Sequence, residues 1–328
     1  MKKILIIRLS SIGDVVLTTP VIRCVKQQTK DAEIHFLVKK NFATVLEANP
    51  YVDNIHVFDG DLRQTVIDLK RQNFDFVIDL HKNLRSLRIK RALGAPSSAF
   101  DKLNLKKWLL VNFKRNKMPD IHIVDRYMDT VAELGVKNDN KGLDYFIPDG
   151  YKVDITSFPK EFHSGYIGIV IGGAHATKVF PENKLIELIQ KIEKPVVLLG
   201  GPLDSIMGNR IVNACPDAAV FNSCGKYHLH QSASLVEQAD KIISNDTGLM
   251  HIAAAFKKDI ISIWGNTVPS FGMYPYVPEK EQEIKNNILE VNDLPCRPCS
   301  KIGYDKCPKG HFKCMNNIKI EDILSRIK

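Results

Sequence analysis

The chain has no apolar run approaching the roughly 18–20 residues of a membrane-spanning helix. It has no Gly-x-Gly-x-x-Gly and no Gly-Lys-Ser/Thr, so the spacings of a dinucleotide fold and of a P-loop are both missing. Dehydrogenase and NTPase readings are weakened accordingly. The apolar start at residues 4–7 is cut short by Arg8, and no cleavage site of small residues follows. That makes a buried first strand the better reading than a signal peptide and leads us to expect a cytoplasmic protein. No nucleic-acid module signature is present, and no basic run interleaved with aromatics stands out, so nucleic acid is not an expected partner. Acidic residues are in deficit: 37 against 46 Lys and Arg, a net charge of +9. This favours anionic partners, either a phosphorylated small molecule or an anionic membrane face, unless it is only a basic solvated surface. Seven cysteines are present. Cys24, Cys215 and Cys224 are scattered, whereas four cluster near the C-terminus. Without an export signal, such a cluster points to metal or reduced thiols before disulfides.

The 328 residues, 44% hydrophobic and 25% charged, suffice for two globular α/β domains. Strands are expected at 4–7, 33–38, 52–58 and 74–80. Helical stretches intervene at 14–28, from Asp61, at 83–93 and at 123–134, and Pro20 must kink or split the first. The pattern loosens from 137 to 164, where turn formers mark a linker. We therefore expect one domain over 1–150 and a second over 165–315. A second alternation places strands at 166–171, 195–199, 241–244 and 260–264, helices at 182–192 and 247–256, and a helix ending at 239. A terminal helix runs over 321–327. Strands separated by helices imply parallel sheets, with ligand crevices at their carboxyl ends.

Four segments carry candidate chemistry. Arg8-Leu9-Ser10-Ser11-Ile12-Gly13-Asp14 joins the first strand to the first helix, where free amides attract anions. Gly13 permits close approach or a positive φ, and Asp14 is either a helix cap or a functional carboxylate. Gly172-Gly173-Ala174-His175-Ala176-Thr177-Lys178 offers small residues, a hydroxyl and a cation suited to a diphosphate, or is an ordinary flexible loop. In Ser244-Asn245-Asp246-Thr247-Gly248-Leu249-Met250-His251 a strand stops at a polar turn and an apolar helix begins. Asp246 or Thr247 would cap that helix, and His251 lies one turn beyond Thr247. Asp79-Leu80-His81-Lys82-Asn83-Leu84-Arg85-Ser86 presents Lys82 and Arg85 at a helix start, where cations oppose the dipole and suit an anionic ligand. Separately, Cys296-x2-Cys299-x7-Cys307-x6-Cys314 opens with zinc-ligand spacing, so a structural zinc and free buried thiols are both open.

Taken together these segments resemble the heptosyltransferases of glycosyltransferase family 9, which build the inner core of lipopolysaccharide. The similarity rests on 10–14, 79–86, Asp125-Arg126-Tyr127, Lys178 with Pro181, Gly200-Gly201-Pro202 and 245–254. It implies a GT-B fold: two Rossmann-like domains whose parallel sheets face an interdomain cleft, the N-terminal one binding acceptor and the C-terminal one the nucleotide sugar. The segment 316–328 would pack back on the N-terminal domain. The resemblance implies an ADP-heptose donor, inversion, no required metal, and an anionic lipid-linked glycan acceptor met at the inner membrane face. It makes Asp14 the base and assigns Lys178 with Thr177 to the diphosphate. Asp246, Thr247, Gly248 and His251 go to the donor; Ser10, Ser11, Gly13, Lys82 and Arg85 go to the acceptor. Where many members have Lys-Arg-Trp-Pro, this chain has Lys178-Val179-Phe180-Pro181, and Leu249 stands where Pro is common. A family 9 transferase with another sugar or acceptor, and a non-catalytic nucleotide-sugar-binding protein, are the alternative readings.

Overall fold

The computed structural model describes residues 2–327. Lys2–Ile7 (β1) lies inside the first sheet, and its last four residues are fully buried. A strand covered on both faces needs apolar side chains on both, hence an unbroken Ile4-Leu5-Ile6-Ile7 without alternation. Ala32–Lys39 (β2), Asn54–Phe58 (β3), Phe76–Asp79 (β4) and Ser97–Ala99 (β5) complete an all-parallel sheet ordered β3-β2-β1-β4-β5. The helical stretch after β1 is split as Pro20 required, into Ile12–Val16 and Thr19–Gln28, with Pro20 in the first turn of the second helix.

The second sheet holds Ile167–Val170 (β6), Val196–Leu199 (β7), Val220–Asn222 (β8), Lys241–Asn245 (β9), Asp259–Trp264 (β10) and Ile288–Glu290 (β11). It is also parallel throughout, ordered β11-β10-β9-β6-β7-β8. In each sheet the strand order reverses beside the first strand, between β1 and β4 and between β6 and β9. Ligand crevices of open α/β sheets form at the carboxyl ends of such strands. The edge strands β5, β8 and β11 escape sequence reading because three residues carry no usable period. Among the described residues no helix is long and apolar enough to cross a membrane.

The chain forms two units. The first runs to Lys102 and resumes over Ile121–Pro148; the second takes Leu103–Asp120 and continues from Asp149. The excursion over Leu103–Asp120, with its helix Asn104–Phe113, was not expected. The terminal helix Ile320–Ile327 belongs to the second unit. Its apolar residues Ile320, Ile323, Leu324 and Ile327 repeat at helical spacing and join the core that holds Leu185 and Ile189.

The turn-rich stretch after Lys137 is tied down rather than loose. Arg23, 3% exposed on the helix Thr19–Gln28, grips Asp139 with two hydrogen bonds of 2.8 Å and also bonds the Asp144 carboxylate and the Gly142 carbonyl. Its bonds hold Asp139 down at about 2, outweighing the burial that would raise it. Removing the buried guanidinium leaves two half-buried carboxylates unpaired, so Arg23→Ala should cost up to roughly 3 kcal/mol in a denaturant melt of the full chain. The stability that Asp139 contributes should be complete above its ordinary pKa near 3.8 and fade as pH falls towards about 2.

Candidate active site

Strand register brings two distant turns together in the first unit. Ile7 pairs with Asp79, so the residues that follow each leave the sheet side by side. Arg8, 8% exposed, binds both turns: its guanidinium donates to the Leu80 carbonyl at 2.5 Å and the Ser10 carbonyl at 2.9 Å, and pairs with Asp14 Oδ1 at 2.5 Å. Asp14 Oδ2 accepts from the Ser11 amide at 3.0 Å and the Ser11 hydroxyl at 2.9 Å, the backward arm of a capping box. Asp14 is thus part of the helix start and also half of an ion pair, with 19% of its side chain exposed. Burial works to raise its pKa. The Arg8 charge and the Ser11 hydrogen bonds outweigh it and hold the carboxyl below the ordinary range. Gly13 is a buried helical residue and has no positive φ.

In the neighbouring turn Asp79, 1% exposed, accepts from the His81 and Lys82 amides at 3.0 and 2.6 Å and from the Ser86 hydroxyl at 2.8 Å. This clamp holds Lys82 at φ 46° and leaves Lys82 and Arg85 exposed. His81 is held neutral: burial, then the charges of Arg8 and Lys102, push it down to about 4, and among the described residues its buried Nδ1 has no hydrogen-bond partner. Sequence reading gave no role to Arg8, His81 or Lys102. An arginine ending a buried strand was a usable signal for the first; the others needed the fold.

In the second unit Val170 pairs with Ser244, which sets the turns after β6 and β9 beside each other. Lys178 Nζ and Asp246 Oδ2 meet at 2.5 Å, and the Thr267 hydroxyl donates to the same oxygen at 3.1 Å. Thr247 occupies the cap position of the helix Gly248–Ala255 in an extended conformation, but its side chain makes no capping bond. The first amides of that helix are therefore not capped by it. His251 is 2% exposed. Thr177, also 2% exposed, is engaged with Tyr304: its hydroxyl donates to the Tyr304 carbonyl at 3.0 Å and accepts from the Tyr304 amide at 2.8 Å. The glycines of the loop serve packing as well. A Cβ on Gly172 would meet Asp204 Oδ2 at 2.1 Å, and one on Gly265 would meet the Thr177 carbonyl at 2.7 Å. Arg297 shapes the 265–267 turn, donating to the Gly265 and Thr267 carbonyls at 2.6 and 2.9 Å. Between those residues Asn266 is 1% exposed, and among the described residues neither Oδ1 nor Nδ2 has a partner. Thr267, Asn266, Arg297 and Tyr304 gave no sequence signal, because single polar residues acquire meaning only beside their partners.

A model of glycosyltransferase family 9 (heptosyltransferase) matches residues 62–303. The chain belongs to glycosyltransferase family 9. The matched span contains Lys178 and Asp246 and begins beyond Asp14. Lipopolysaccharide heptosyltransferase 1 of Campylobacter coli is 26% identical, over 99% of this chain and 98% of its own. The Pseudomonas aeruginosa protein of the same name is 24% identical, over 91% and 86%. Among solved structures, E. coli ADP-heptose LPS heptosyltransferase II superposes with TM-score 0.72 at 19% identity, covering 100% of this chain and 97% of the other. E. coli heptosyltransferase WaaC with ADP gives 0.68 at 20%, covering 99% and 98%. The fold is GT-B, two Rossmann-like domains each built on a parallel sheet.

In this glycosyltransferase all seven cysteines are free. Cys296, Cys299, Cys307 and Cys314 line one pocket together with His311 and Asn266. Among the described residues no group of three or more His, Cys, Asp or Glu is disposed to hold a metal ion, so the structural zinc that the spacing left open is not supported. Burial raises Cys299 and pushes Cys314 up to about 11, which keeps both thiols protonated at neutral pH. The first-unit charge cluster gives a direct check on the transferase. His81 should stay neutral in an NMR titration down to about pH 4, and Lys102→Met should move its midpoint up towards 6.5. Because only the unfolded chain takes up that proton, stability should decline as pH falls from 6.5 to about 4.

Proposed function

We propose that this enzyme transfers a heptose from an ADP-activated donor to an anionic, lipid-linked inner-core lipopolysaccharide acceptor. The observation that carries the donor half is the Lys178–Asp246 pair beside the start of the helix Gly248–Ala255. A cation and uncapped helix amides at a strand-order reversal suit a diphosphate. The names of the relatives point the same way, and so does a WaaC structure with ADP-2-deoxy-2-fluoro heptose, of TM-score 0.66. Lys178 binds the diphosphate and stabilises the charge on the leaving ADP. Asp246 and Thr267 hold Lys178 in place, and Thr177 acts through Tyr304 to fix the loop. Thr247 and Gly248 offer amides to the donor, His251 backs the same turn, and the unsatisfied Asn266 amide is a further place for a polar atom of the ligand.

The reaction is a single in-line displacement with inversion. The acceptor oxygen forms a bond to the anomeric carbon as the bond from that carbon to the ADP oxygen breaks on the opposite face. Asp14 receives the hydroxyl proton. Held low by Arg8, it is a weak base, so it first orients the hydroxyl and takes the proton late. Ser10, Ser11 and Gly13 shape the acceptor side, where Lys82 and Arg85 pair with anionic groups of the glycan. Catalysis needs no metal.

A donor screen that reads ADP release should favour ADP-heptose over other nucleotide sugars in the presence of acceptor; equal turnover of another sugar nucleotide would redirect the assignment within the family. Asp14→Asn should keep ADP affinity and fold yet lose about 10²-fold or more in kcat. Full turnover in that variant would remove Asp14 as base. Lys178→Met should weaken ADP binding about tenfold by calorimetry, whereas an ordinary surface lysine would leave the affinity unchanged.

A further inference from the structure

The helix Asn104–Phe113 carries apolar residues on two opposite sides. On the inner side Leu110, 6% exposed, packs with Val268 and Phe271, and Val111 joins the same cluster. On the other side Leu105, Trp108 and Phe113 are 69%, 45% and 57% exposed. With 3.6 residues per turn these three share a face directed away from Val111 and Lys107. Trp108 and Phe113 already meet edge to face, their ring centres 5.1 Å apart. No Asp or Glu occurs between Asp101 and Asp120, while Lys102, Lys106, Lys107, Lys114, Arg115 and Lys117 all do. Two of these turn inward: Lys107 sits 5.6 Å from the Phe271 ring centre, and Lys114 donates to the Pro298 carbonyl at 2.7 Å. Lys106, Arg115 and Lys117 are exposed along the same segment. Basic and aromatic residues do interleave here, which corrects the expectation that no such run exists. A linear pass misses it because the period of an exposed helix face is not that of the chain.

We propose that this face docks on an anionic phospholipid surface. Leu105, Trp108 and Phe113 enter the boundary between headgroups and acyl chains, and Lys106, Arg115 and Lys117 lie against lipid phosphates. Apolar area leaves water as cations approach fixed negative charge, the two contributions that hold an interfacial helix. Tryptophan suits that boundary because its ring is apolar with one polar edge. A second copy of this chain is a poor occupant, since the face is basic and the whole chain carries +9. A nucleic acid would engage the cations but leave Leu105 in water. The proposal rests on the lipid-linked acceptor only for its purpose, because docking itself needs neither donor nor acceptor.

The chain carries its own reporter. Of its two tryptophans Trp264 is 1% exposed, so a change in emission on adding vesicles reports Trp108. The full chain should co-sediment with phosphatidylcholine vesicles containing phosphatidylglycerol, with a blue shift, and should not do so with phosphatidylcholine alone. Binding should weaken with salt. Leu105→Ser/Phe113→Ser, and separately Lys106→Glu/Lys117→Glu, should each lower partitioning about tenfold or more, with unchanged melting because all four side chains are exposed. Absence of co-sedimentation with anionic vesicles, or wild-type binding by both variants, overturns the proposal. Duplex DNA bound as tightly as vesicles and unaffected by the serine variant overturns it in favour of nucleic acid. Dimerisation that the serine variant abolishes overturns it in favour of a second copy. ADP release with a detergent-dispersed acceptor keeps the two readings apart: lost docking with intact transfer leaves the heptosyl assignment standing, and docking without transfer removes only that assignment.

Discussion

Everything that gives this molecule chemistry depends on where strand order reverses in an all-parallel sheet. A parallel neighbour leaves the sheet at the same end, so Ile7 beside Asp79 forces the turns after β1 and β4 into one place. Val170 beside Ser244 does the same for the turns after β6 and β9. Residues 72 positions apart in one unit, Arg8 and Leu80, thereby share a hydrogen bond, and residues 68 apart in the other, Lys178 and Asp246, share an ion pair. The backbone ladder is indifferent to the chemistry it brings together. Side chains at the four turns decide what is done there.

Both constellations pair an acid with a base. Arg8 lies against Asp14, and Lys178 against Asp246. Each pair is largely buried, where an unpaired charge would be expensive, so each member secures the position of the other. The hydrogen bonds from Ser11 and Thr267 fix each carboxylate further.

The basic excess of the composition is unevenly spent. Lys82 and Arg85 stand at the turn after β4, whereas the run from Lys102 to Lys117 borders an apolar helix face. The two uses differ physically. At the turn, the cations stand on a backbone clamped by the Asp79 carboxylate. Along the helix they surround exposed Leu105, Trp108 and Phe113, and charge and apolar area act together on an extended surface.

Much of the fold was legible because buried parallel strands must be apolar throughout and helices must punctuate them. Asp14 at a helix start, the split at Pro20 and the polar turn from Ser244 are all local facts. Three things were decided only by tertiary structure. The terminal helix joins the second unit because its stripe of Ile320, Ile323, Leu324 and Ile327 finds a matching core there, and no local rule names a partner for a stripe. Thr177 is occupied by Tyr304, a pairing 127 residues apart that leaves no trace in either segment. The first two of the four clustered cysteines have zinc-ligand spacing, yet spacing along a chain does not set where thiols point, and all four are free. Sequence alone determined which residues are able to act, through their type and their place at strand ends. Tertiary structure decided which of them are committed to one another, because hydrogen bonds and ion pairs form between positions whose distance apart only the folded sheet defines.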